Sequence, residues 1–149
     1  MSNSLYEAAR SNHHKKVRKL LKAGADVDQA REDNGATPCF IAAENGHVEV
    51  MRALIEAEAD VDKARTDDGT TPCFIAAQKG HVEVVRALIG AEADVDKAMK
   101  ATGTTPCYIA AENGHVEVMR ALIEAEADVD KARTDTGTTP CYIAAENGH

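Results

Sequence analysis

Cys39, Cys73, Cys107 and Cys141 form one ladder along the chain, and His47, His81, His115 and His149 form a second, both stepping by 34 residues. Thiols and imidazoles are the ligands of zinc sites, the partners of disulfides and the nucleophile and base of covalent catalysis. The regular step argues against all three. Each residue recurs once per repeat on an equivalent helix, and packed helices lie about 8 to 10 Å apart. A disulfide needs Cα atoms within about 7 Å, and zinc needs thiolates converging at about 2.3 Å. The cysteines are therefore expected to be buried free thiols and the histidines to hold turns. His13 and His14 are the only adjacent pair. With no carboxylate pair or cysteine at ligand spacing nearby, they read as part of a solvated end. No metal and no cofactor is expected.

Other candidate chemistry fails on spacing or charge. Tyr6, Phe40, Phe74, Tyr108 and Tyr142 all occupy one repeat position, which resembles a base-stacking platform. The formal net charge of −8 opposes that use, because nucleic-acid binding draws on basic patches that displace phosphate counterions. Packing between repeats is the better reading. The acidic stretch DVDKARTDDGT lacks the D-x-[DN]-x-[DN]-G ladder and the twelfth-position Glu of a calcium loop. No phosphate loop, G-x-S-x-G elbow or H-E-x-x-H is present. Serine occurs only at positions 2, 4 and 11, so no repeated Ser-His-Asp set can be assembled. The chain is not expected to be an enzyme.

The elements that carry these residues follow from the repeat itself. TPCF at 37–40 and 71–74 and TPCY at 105–108 and 139–142 set the register. Residues 37–70 and 105–138 differ only at Phe40/Tyr108 and Asp68/Thr136, a closeness that suggests recent duplication or design. The register continues backwards, with Leu5 and Tyr6 matching Cys39 and Phe40, and Leu20 and Leu21 matching Leu54 and Ile55. Glu7, His14, Lys15 and Lys16 stand where later units have Ile41, Val48, Glu49 and Val50, as a solvent-facing end unit should. The units are thus 3–36, which forms the N-terminal cap, 37–70, 71–104, 105–138 and a partial unit 139–149, all within one domain, 1–149.

Thr37 and Pro38 predict a helix start, because the Thr hydroxyl can accept an orphan amide and Pro loses nothing at the first helical position. This first helix runs to about Asn45, and Gly46 permits a reversal. HVEVMRALIEA then places Val50, Met51, Leu54 and Ile55 on the buried face of a second, antiparallel helix. A polar extended loop containing Gly69 closes the unit. One such pair cannot bury its apolar side alone, so units must stack, and Ala42 and Ala43 leave room for close approach. Hydrophobic residues make up 44% of the chain and aromatics only 3%, so Ala, Leu, Ile and Val must fill the core.

The string TPCFIAAENGHVEVMRALIEAEADVDKA resembles the ankyrin repeat, whose pattern is T-P-L-H-x-A-A, then G-H, a V/L-rich second helix, and G-A-D-V. The resemblance covers residues 3–149. It implies an all-α solenoid of antiparallel helix pairs joined by extended loops, or fingers. This chain departs from the pattern in its cysteines, in Phe or Tyr for His, and in a period of 34 residues instead of 33. Glu58, Glu92 and Glu126 stand where the helix-ending Gly belongs, which Gly24 retains. That requires a left-handed non-Gly residue or a different cap. The last unit stops at His149 before its second helix, so the sequence is expected to be a fragment.

The resemblance also implies protein binding along a concave surface of loop tips and first helices. Units 37–70 and 71–104 differ at eight positions, of which six fall on those two patches. The candidate partner contacts are Glu44, Asn45, Arg65, Thr66, Asp67 and Asp68; then Gln78, Lys79, Met99, Lys100, Ala101 and Thr102; then Glu112, Asn113, Arg133, Thr134, Asp135 and Thr136. Met99 is expected to be an exposed apolar anchor. The acidic face around it predicts a protein partner with a basic rim, bound to a monomer. Drift at solvated positions would give the same variation.

Two alternatives carry other functions: the substrate-recruiting part of a larger enzyme or ligase adaptor, and a mechanical spacer or designed scaffold. Nucleic acid and membrane are not expected partners. No apolar run approaches the roughly 18 residues of a membrane span, and MSNSLYEAARSNHH lacks a signal peptide's apolar stretch. A cytoplasmic or nuclear location is expected.

Overall fold

The computed structural model describes residues 4–149, so Asn3, the expected start of the first unit, lies outside the described residues. The described residues form α1 Ser4–Arg10, α2 His14–Lys22, α3 Pro38–Asn45, α4 Val48–Glu56, α5 Pro72–Lys79, α6 Val82–Gly90, α7 Pro106–Glu112, α8 Val116–Glu124 and α9 Pro140–Glu146. No strand occurs among them. The odd-numbered helices pack side by side in one row, α2, α4, α6 and α8 in a second, and the rows pair α1 with α2 through α7 with α8.

Local chemistry sets the helix limits. Thr37 is extended at φ −92°, ψ 166°, and its hydroxyl oxygen accepts the Phe40 N–H at 3.1 Å. Thr71, Thr105 and Thr139 cap α5, α7 and α9 in the same way. Such a cap contributes about 1 kcal/mol. Gly46 is left-handed at φ 70°, which turns the chain so that the His47 N–H reaches the Ala42 carbonyl at 2.9 Å. Glu58, Glu92 and Glu126 adopt φ values of 59°, 61° and 61°. Of the two alternatives posed by the missing glycines, the left-handed non-Gly residue is the one adopted.

The core runs through the stack as small residues on first helices and branched residues on second helices. Ala42, Ala43, Val50, Met51 and Leu54 are fully buried, as are Ala76, Ala77, Val84, Val85 and Leu88. Ala53 is also buried, while Ile55 is only partly so. Cys39, Cys73 and Cys107 lie inside this core, with Cys39 Sγ 3.6 Å from Met51 Sδ. Cys141 and Tyr142 do not. They lie on α9, which packs on α7 and has no paired second helix among the described residues, and both are exposed, contrary to the expected burial of all four thiols.

The loops are tighter than their polar composition suggests. In each finger a backbone turn closes on itself: Arg65 N–H donates to Thr70 O at 2.9 Å and Gly69 N–H to Arg65 O at 3.1 Å. Successive fingers are joined by Thr66 N–H to Asn34 O at 3.0 Å, Lys100 N–H to Asp68 O at 3.3 Å and Thr134 N–H to Thr102 O at 2.9 Å.

A second tie comes from the A-D-V-D-K segment. The Asp28, Asp62 and Asp96 carboxylates accept the backbone N–H of Asp60, Asp94 and Asp128 in the following unit at 2.9 to 3.0 Å. Lys63, Lys97 and Lys131 reach back to the Asp28, Asp62 and Asp96 carbonyls. These hydrogen bonds run from one unit to the next, so the acidic residues act between units and not as an open loop.

Candidate partner-binding face

The fingers lie in a row, and each is anchored on the first helix that precedes it. The guanidinium carbons of Arg31, Arg65 and Arg133 sit 5.4 Å from the ring centroids of Tyr6, Phe40 and Tyr108. That is within cation–π range. Each arginine is held over its ring by a carboxylate two residues on: Asp33, Asp67 or Asp135. Hydrogen bonds from these arginines hold the three carboxyls below the usual aspartate range. The finger base is thus a fixed stack of ring, guanidinium and carboxylate.

This geometry separates the expected contact residues into two groups. Arg65 and Arg133 are mostly buried and occupied, with side chains 24% and 22% exposed. Asp68 accepts the Thr70 N–H at 2.9 Å, and Thr136 shares a 2.7 Å hydroxyl contact with Thr138. Thr102 is paired with Thr104 in the same manner. These residues shape the turn. Thr66, Lys100, Ala101 and Thr134 are exposed at the tips, and Asp67 and Asp135 show an exposed edge there while their carboxylates hold the arginines.

Met99 corrects the sequence reading. It occupies the position from which arginine covers the ring in other units, and it is half-buried and packed against the core. An apolar side chain replacing a guanidinium beside a hydrophobic cluster gains by burial, so its neighbours Lys100 and Ala101 project instead.

On the first helices, Asn45, Lys79 and Asn113 are exposed, while Glu44, Gln78 and Glu112 are half-buried. Asn45 and Asn113 donate to the Ile41 and Ile109 carbonyls at 2.9 and 3.0 Å. The Glu44 and Gln78 backbone carbonyls take His81 and His115 Nε2 at 3.1 and 2.9 Å, and Arg10 O takes His47 Nε2 at 3.0 Å. The histidine ladder joins the turn of one unit to the first helix of the unit before it. His13 and His14 are exposed.

No group of three or more His, Cys, Asp or Glu residues is placed to hold a metal among the described residues. Burial raises the buried thiols, Cys73 to about 12 and Cys107 to about 11. Among the described residues no helix is long and apolar enough to cross a membrane.

A stack of helix–turn–helix units with fingers in a row is a repeat-protein scaffold. The family model for ankyrin repeats matches residues 5–99 and 91–149, and the chain belongs to that family. Ankyrin repeats are generally non-catalytic modules that bind other proteins. A search of curated proteins finds no match.

Proposed function

We propose that this chain is a protein-interaction module whose partner lies along a concave face made by the finger tips and the exposed sides of the first helices. Its units are 3–36, 37–70, 71–104, 105–138 and the partial unit 139–149. The observation that carries the reading is the contrast within one finger. Met99 and Thr102 are engaged by packing and by the turn, whereas Lys100 and Ala101, where fingers 65–68 and 133–136 have Thr and Asp, stand in solvent. Variation that replaces tip residues and leaves the fingers' backbone ties intact is what a reading surface requires.

The tips are held before binding, so a partner meets a surface with little ordering cost. Thr66, Asp67, Thr134 and Asp135 with Asn45 and Asn113 flank the cationic pair Lys79 and Lys100. With Glu44, Asp68 and Glu112 at its margin the face holds five acidic residues against the four cations Arg65, Lys79, Lys100 and Arg133, a small excess that suits a partner with a basic rim.

The test is affinity capture from lysate followed by mass spectrometry, comparing the chain with a Lys100→Thr, Ala101→Asp variant. A protein captured by the original and lost by the variant supports the reading. Identical capture by both would overturn it in favour of a spacer. The rim is tested separately: the partner's association rate should fall as salt rises from low to physiological strength.

A further inference from the structure

The first unit carries a charge that its exposure does not explain. Residues 8–25 contain Arg10, Lys15, Lys16, Arg18, Lys19 and Lys22 and no acidic residue, while the rest of the chain holds 11 Lys/Arg against 25 Asp/Glu. All six cations are exposed. Among the described residues no unit covers the outer side of the first one, and that exposure accounts for Lys16 and Lys19, which stand where inner units have residues such as Val50 and Ala53, both buried inside the stack.

It does not account for Lys15 and Lys22. The inner units are already exposed at these positions, with Glu49, Glu83 and Glu117 matching Lys15, and Glu56 and Glu124 matching Lys22. Solubility there needs charge of either sign. Lys15 also lies in the first turn of α2, where the helix dipole favours the acid that α4, α6 and α8 carry. Arg18 pairs with Glu56 of α4, whereas Lys15, Lys16, Lys19 and Lys22 make no ion pair among the described residues.

We propose that the outer face of α2 is a docking surface for a short acidic segment of a partner protein, separate from the finger tips. Lys15, Lys19 and Lys22 are spaced i, i+4, i+7 and share one face of a helix about 13 Å long. Four or so extended residues cover that length at about 3.3 Å each. The short reach favours a peptide. A longer polyanion would overrun α2 and meet the acidic body within roughly a Debye length of 8 Å. A lipid surface would need an apolar face, and that of α2 is already spent: Val17 is buried, and Leu20 and Leu21 pack on the core.

The experiment uses the full chain and a fluorescent pentaglutamate probe read by anisotropy, against Lys15→Glu with Lys22→Glu. These substitutions restore the residues that inner units carry, so folding is kept, and thermal melting checks it. Saturable binding, weakened about tenfold by the double variant and several-fold by raising salt to physiological strength, is expected. Should the pair of glutamates destabilise α2, Lys15→Gln with Lys22→Gln removes the charge alone and should weaken binding in the same direction. Binding unchanged by either variant, or absent, overturns the proposal. So does tighter binding of a duplex oligonucleotide or of phosphatidylserine vesicles, which would make the surface a nucleic-acid or lipid site. Salt-sensitive self-association in sedimentation, lost in the variant, would make a second copy's acidic body the occupant and overturn it as well. Finger-tip substitutions should leave probe binding unchanged.

Discussion

The His81 ring sits so close against the Gly46 backbone that a Cβ added there would lie 2.8 Å from His81 Nδ1. The turn of one unit and the histidine of the next are therefore a single packed joint, with glycine required by both φ and space. Gly46→Ala should destabilise the chain by on the order of 2 kcal/mol, combining left-handed strain with displacement of the ring. Gly137→Ala is the control, since its φ is 70° but nothing lies within 4 Å of an added Cβ. Urea denaturation should show the smaller loss at Gly137; equal losses would assign the whole effect to strain.

The three left-handed glutamates carry the opposite expectation. Glu58, Glu92 and Glu126 adopt a conformation that glycine takes without a Cβ penalty. Replacing each with Gly should stabilise the fold by roughly 0.5 to 1 kcal/mol, and the three effects should nearly add. Gln at the same sites removes the charge and keeps the strain. If Gln raises the melting temperature as much as Gly, charge relief and not backbone strain is the cause.

Asp62 tests the tie between units. Its carboxylate accepts the Asp94 N–H at 3.0 and 3.1 Å, and its pKa is raised above the ordinary value, chiefly by burial. A raised carboxyl pKa means that the fold prefers the protonated form. This group's contribution is full below the unfolded pKa of about 3.9 and is lost as pH rises through the folded pKa. Asn keeps an acceptor oxygen without the charge, so Asp62→Asn should be nearly neutral at pH 7. Asp62→Ala should cost about 1 kcal/mol by leaving the amide without its partner. Equal effects of Asn and Ala in urea melts would mean that the charge itself is what matters.

Most of the architecture is legible in the sequence because each inner unit states it again: Thr-Pro at the cap, Gly at the turn, and the Val50, Met51, Leu54 stripe on the second helix. The finger is less legible. Composition marks DVDKARTDDGT as polar, but which polar groups face water depends on atoms one unit away. Asp28 reads as a solvated acid until Asp60 is brought beside it, and Arg65 reads as a tip residue until it is seen over Phe40. A signal was nonetheless present. Arg recurs at 31, 65 and 133, always 25 residues after an aromatic and two before an aspartate. Cys141 and Tyr142 differ for another reason: their local sequence equals that of buried counterparts, and only the lack of a covering helix among the described residues distinguishes them.

The same finger bases predict acid sensitivity. Asp33, Asp67 and Asp135 have pKa values lowered first by hydrogen bonds from Arg31, Arg65 and Arg133. A lowered carboxyl pKa gives stability that is present above the unfolded value of about 3.9 and lost as pH falls through the folded value. Arg65→Gln with Arg133→Gln should therefore melt lower than the parent at pH 7, and the gap should narrow as pH falls below about 4. A gap that stays constant down to pH 3 would show that ring stacking, not the ion pairs, sets the effect.

Thiol reactivity separates the buried ladder from its last member. Attack on a disulfide reagent requires an accessible thiolate. Cys39, Cys73 and Cys107 are buried, and burial raises their pKa values, whereas Cys141 is exposed. An aromatic disulfide reagent at mildly alkaline pH should modify Cys141 quickly in the native chain and the other three only in denaturant. Peptide mapping identifies the site, and fast modification of Cys107 would mean that the α7–α8 end of the stack opens readily.

Met99 decides between packing and recognition. Its place over the first helix is the one from which Arg65 covers Phe40, and Phe74 is the equivalent ring. Met99→Arg should therefore be tolerated, because the incoming guanidinium has the same ring position to occupy. It lacks an aspartate at 101 to hold it, so its cation–π gain should be at the exposed end of the range, about 0.5 kcal/mol, set against the lost burial of the methionine. The net change in melting temperature should be small. Capture of a partner should also persist, since Lys100 and Ala101 remain at the tip. A variant that melts like the parent yet loses its partner would return Met99 to the contact surface and shift the reading of the finger from its tip to its base.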